Sequence, residues 1–123
     1  MANWDDVWAI LSELPGTELD PPSRMPAVRV CGTLVAYLPG NARSRPESAQ
    51  PGEHFVVIRI SYLDRAALLE ENPETYFVTP HYQNYPGVLV RMRTIPPDRL
   101  LRRLLLNAYR LVAPKRLVRE LDL

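Results

Sequence analysis

Fourteen arginines and a single lysine, Lys115, carry the positive charge of this 123-residue chain, and their spacing suits contact with anions. A guanidinium is planar, permanently charged and able to grip phosphate or carboxylate through two bonds at once. Two arginine patterns stand out. In the segments that read as strands, Val28 and Val30, then Val56, Ile58 and Ile60, then Val88, Val90 and Met92 alternate toward a core. That alternation leaves Arg29, Arg59, Arg91 and Arg93 on the opposite face, with Phe55, Val57 and Tyr37 beside them. Arginine planes and rings on an open sheet suit a nucleic-acid strand, pairing with phosphate and stacking on bases. The competing reading is a solvated face on which the arginines cover apolar neighbours and pair with acids such as Glu53 or Glu74. In the last helical segment, Arg99, Arg103 and Arg110 fall in a narrow arc opposite much of a leucine stripe. Arg102 is adjacent, and Lys115, Arg116 and Arg119 follow. Such a stripe can hold a phosphate backbone without reading sequence; its alternative is a charged outer face with cations near the negative end of a helix.

A third cluster is the stretch from His81 to Tyr85, where His81, Tyr82 and Tyr85 sit on a connector. With Tyr37 and Phe55 it offers an alternative site for a small ligand or a protein partner. No partner is evident that would make His81 an acid or base, so a hydrogen-bonded turn is the competing role. Phosphate-binding glycine loops, His-Glu-x-x-His and Gly-x-Ser-x-Gly are absent from the sequence. One cysteine and two histidines are too few for an ordinary zinc site. The expectation is a non-catalytic binding protein without metal or cofactor.

The elements that must position these residues follow from periodicity. Asn3 caps a helix over about 4–14, in which Val7, Ile10, Leu11 and Leu14 repeat at helical spacing. After a proline-rich connector, 27–31 and 33–38 form a hairpin about Gly32, and Cys31 reads as a small buried apolar residue. Residues 39–53 hold three prolines, two glycines and no large apolar residue, which predicts a surface loop. Strand 54–61, helix 63–71, strand 76–79 and strand 87–94 come next. A helix opened by Pro96 and Pro97 runs to Pro114, and 115–122 adds a final turn or two. The expected order is α-β3-α-β2-α, an α+β domain over 1–123 with an antiparallel sheet and helices on one face. Net charge is +1, but this conceals a cancellation between residues 1–90 at −5 and residues 91–123 at +6. Neither an export signal nor a membrane-spanning run is legible, and the expectation is a cytoplasmic protein.

Several stretches, in order, resemble the MmcQ/YjbR family of small bacterial proteins. They are Leu14-Pro15-Gly16-Thr17, Met25-Pro26-Ala27-Val28-Arg29-Val30 with Gly32, Pro73-Glu74-Thr75-Tyr76-Phe77, Thr79-Pro80-His81-Tyr82, Tyr85-Pro86-Gly87-Val88-Leu89-Val90, and the closing Ala108-Tyr109-Arg110-Leu111-Val112-Ala113-Pro114-Lys115-Arg116-Leu117. The resemblance spans nearly the whole chain. It implies a two-layer fold like that of secretion chaperones and, since such proteins are commonly described as DNA-binding, a DNA partner; it brings no catalytic residues. Where members often have Gly-His-Pro or similar, this chain has Ser23-Arg24-Met25-Pro26, so a role tied to that histidine does not carry over. The 39–53 loop is longer than usual for the family.

Overall fold

The computed structural model describes residues 2–39, 49, 53–96 and 99–123; most of the 39–53 loop and the Pro97-Asp98 entry to the last long helix lie outside them. Helix α1 (Trp4–Leu11) begins as expected. The Asn3 side chain accepts from the Asp6 N–H at 3.0 Å, and the Asp6 carboxylate accepts from the Asn3 N–H at 2.9 Å, a reciprocal cap that also places two acids at the positive end of the helix. It stops at Leu11 rather than 14. Residues 12–16 form turns, and Gly16 takes φ +81°, a conformation open to glycine that reverses the chain.

The reversal creates a strand that periodicity did not reveal, β1 (Thr17–Leu19). It precedes β2 (Ala27–Val30), β3 (Thr33–Tyr37), β4 (Phe55–Arg59), helix α2 (Tyr62–Glu71), β5 (Tyr76–Phe77), a 3₁₀ turn over Pro80–Tyr82, β6 (Gly87–Arg91), α3 (Arg99–Val112) and α4 (Lys115–Glu120). The six strands lie in the order β1-β2-β3-β4-β6-β5, with every pairing antiparallel. The expected two-layer α+β class is therefore the observed one, with one more strand before the first crossover.

Register explains the core. Val56 pairs with Val90 and Ile58 with Val88, so one face of the central strands presents a continuous aliphatic surface. These four residues, with Val28 and Val30, are fully buried beneath Leu101, Leu105 and Ala108 of α3 and Val7 and Leu11 of α1. Each such side chain contributes about 1.5–3 kcal/mol by burial. Tyr109 fastens α3 to the turn after α1 by donating its hydroxyl to the Pro15 carbonyl at 2.7 Å.

Two local expectations are corrected. Cys31 is exposed, not buried. It shares a two-residue turn with Gly32, at φ +48° and +86°, the paired positive values that match the twist of a tight hairpin. The last strand ends at Arg91, with Met92–Thr94 in a turn, so Arg93 leaves the strand face.

Candidate functional site

The face of the sheet away from the helices is not open. Phe55, Val57 and Leu89 are buried there together with Tyr82, and Tyr37, Phe77 and Tyr85 pack around them as a second apolar cluster. What covers this face is the segment between β5 and β6. Its rings interlock: Tyr82 lies 6.5 Å from Tyr37 and 6.1 Å from Tyr85, and Phe55 meets Phe77 edge-on at 5.2 Å. Burial above all, then the neighbouring Tyr82 and Tyr85 hydroxyls, pushes the Tyr37 phenol above the ordinary tyrosine range. His81 remains exposed at the rim, its ring edge-on to Tyr82 at 4.9 Å. The alternative site expected at Tyr37, Phe55, Tyr82 and Tyr85 is thus a packed core whose cover is the turn itself.

The expectation of four arginines displayed on an open sheet is corrected for the same reason. Arg91 is buried, between the Phe55 and Phe77 rings at 5.6 and 5.0 Å, and donates to Glu53 Oε1 at 2.6 Å. Arg93 donates to the other oxygen of Glu53, also at 2.6 Å. Arg29 pairs with Asp20 at 3.1 Å, and Arg59 lies over the Tyr85 ring at 5.6 Å. Carboxylates and rings of this chain already engage all four; the pairing with Glu53 is the one expected of a solvated face, but the face itself is covered.

The helix-side arginines differ. Because α3 turns through 3.6 residues, Arg99, Arg103 and Arg110 share its outer face while Leu101, Leu104, Leu105 and Ala108 face the core. With Arg102, Leu106, Asn107 and Leu123 they line a shallow hollow of about 290 Å³. Arg102 also donates to Glu13 at 3.2 Å, an exposed pair. The other three form no ion pair among the described residues, and no acid occurs anywhere in α3. Lys115 and Arg116 are exposed on α4 and do not line this hollow.

Arg65 was not singled out by sequence, and it organises the cover. From α2 its guanidinium donates to the carbonyls of Tyr82, Gln83, Tyr85 and Gly87 at 2.9–3.3 Å. Backbone acceptors have no sequence signature; a lone cation at the start of an otherwise acidic helix was the one available hint. No group of three or more His, Cys, Asp and Glu residues that could hold a metal ion occurs among the described residues.

No family model matches the chain. By fold, it is similar to the crystal structure of Deinococcus radiodurans protein DR2400, which bears a DUF419 domain, with a TM-score of 0.69 over 100% of this chain and 90% of that one at 21% identity. By sequence, it is 37% identical over 125 aligned residues to the uncharacterised proteins Rv2570 of Mycobacterium tuberculosis and Mb2600 of Mycobacterium bovis. The alignment takes in 96% of this chain and 94% of each relative. Likeness of that depth across nearly the full length of both partners means that the chain belongs to the family of these mycobacterial proteins.

Proposed function

We propose that this protein is a non-catalytic, cytoplasmic binding protein whose α3 arginines hold the phosphate backbone of a nucleic acid, DNA in the first instance, without reading its sequence. The observation that carries the reading is the hollow bounded by Arg99, Arg102, Arg103 and Arg110, three of them without a carboxylate partner among the described residues. Cations on one helix face position a polyanion but carry no base-specific information. The finer assignment to the MmcQ/YjbR family, made on the motifs quoted above, supports the same partner class.

The test is fluorescence anisotropy with labelled duplexes of unrelated sequence at low salt. The combined Arg99→Gln, Arg103→Gln and Arg110→Gln variant is expected to lose affinity by about tenfold or more for every duplex alike. Arg29→Gln, on the far side of the sheet, is expected to change it less than about twofold. Wild-type affinity in the triple variant would overturn the reading.

A further inference from the structure

Between α2 and α3 the helix layer is incomplete, leaving a groove of about 590 Å³ over the end of the sheet. Its accessible apolar surface comes from Ala67, Leu68 and Leu111, above the buried Ile58, Ile60 and Val88. On the α3 wall, Leu104, Asn107 and Leu111 follow at three- and four-residue intervals, flanked by Arg103 and Arg110 seven residues apart. The α2 wall mirrors this in opposite charge, with Asp64 and Glu71 seven apart and Ala67 and Leu68 between them. Three-four spacing is that of a helix seam meeting another helix, and seven residues are two turns, or roughly 10 Å of rise. Leu104 is buried in the core and Leu68 packs partly against it, but Ala67 and Leu111 stay exposed, Leu111 by 52%, so among the described residues both helices keep apolar surface uncovered on the groove side.

We propose that this groove is a docking site for an amphipathic helix of another protein, one with an apolar stripe and a different charge on each flank. The apolar stripe seats on Ala67, Leu68 and Leu111, above the buried Ile58, Ile60 and Val88, as in helix-in-groove recognition. An acidic flank faces Arg103 and Arg110, and a basic flank faces Asp64 and Glu71. A nucleic acid would bring phosphates against those two carboxylates, so this ligand differs from the one proposed for the α3 hollow. The surfaces share Arg103 and Arg110, but Arg99 borders only the hollow and Ala67 only the groove.

The probe is a synthetic fifteen-residue helix with leucines along one stripe, glutamates on one flank and lysines on the other. Lying in either direction along the groove, it can match both walls in one of the two. It is expected to bind one-to-one, at least about tenfold more tightly than versions with glutamate on both flanks or lysine on both, since each of those meets one like-charged wall. Ala67→Trp places a ring in the groove from an exposed position and is expected to weaken the mixed peptide about tenfold while leaving duplex DNA affinity unchanged. Methyl resonances of Leu68 and Leu111 should shift on peptide addition to the wild-type protein, a readout independent of any variant. Absence of peptide binding, indifference to Ala67→Trp, methyl shifts confined elsewhere, or equal binding of the all-glutamate peptide would overturn the proposal. The DNA reading would stand or fall separately on Arg99, Arg103 and Arg110.

Discussion

Glu53 shows how one residue decides whether an arginine is available to a ligand. Its carboxylate is buried and spans Arg91, itself buried, and Arg93, whose side chain is 46% exposed. Glu53→Gln leaves a buried guanidinium facing a neutral amide, so a loss of about 3 kcal/mol of stability is expected in denaturant titrations. Arg93→Gln removes only the solvent-screened half of the arrangement and should cost under about 1 kcal/mol. Sequence offered both Glu53 and Glu74 as partners. Glu74 lies beside the same two arginines without an ion pair to either, a choice that depends on where the chain enters β4 and not on residue type. The tyrosines make a second residue-scale prediction. Burial first of all raises the pKa values of Tyr37, Tyr76 and Tyr109, so the native state keeps three phenolic protons that the unfolded chain releases near pH 10. Their contribution to stability is complete below pH 10 and declines as pH rises from there through the raised native values. Ultraviolet titration should show these three ionising later than exposed tyrosine and together with unfolding.

At the level of elements, the decisive contact is α2 to the β5–β6 connector through Arg65. Four carbonyls accept from one guanidinium, which fixes the turn that seats Tyr82 and Tyr85 on the sheet. Arg65→Met keeps much of the stem but strands those carbonyls, and a loss of about 2–3 kcal/mol is expected. Increased protease cutting within 80–86 should accompany it, because the connector is then less well held. The alternation that buries Val56, Ile58, Val88 and Val90 was legible because period two is local to each strand. The fate of the opposite face was not, since its cover is delivered by a segment more than twenty residues from β4. Strand β1 was illegible for a related reason: three residues with one large apolar side chain carry no period, and pairing with β2 supplies the order.

Over the whole molecule, the sheet separates the two arginine sets that sequence had offered to one polyanion. Those on the strand side are engaged by Glu53, Asp20 and Tyr85, whereas the α3 set lies on the far side of the helix layer and accounts for much of the +6 balance of residues 91–123. Sequence located all of these within their elements except Arg93, which lies in the turn after β6; which set pairs with carboxylates depended on tertiary packing. The fold class was readable because the other strands and the helices are locally consistent with it, even though β1 was not. The central claim is that the α3 row, and not the sheet face, meets a polyanion. It is tested most directly by the slope of log affinity for duplex DNA against log salt concentration. Three to four phosphate contacts predict a slope of about −3 in the wild-type protein. The slope should fall to between zero and about −1 in the Arg99→Gln, Arg103→Gln and Arg110→Gln variant, where Arg102 remains, and stay unchanged in Arg29→Gln. A slope that survives the triple substitution, or that falls with Arg29→Gln instead, would contradict the claim.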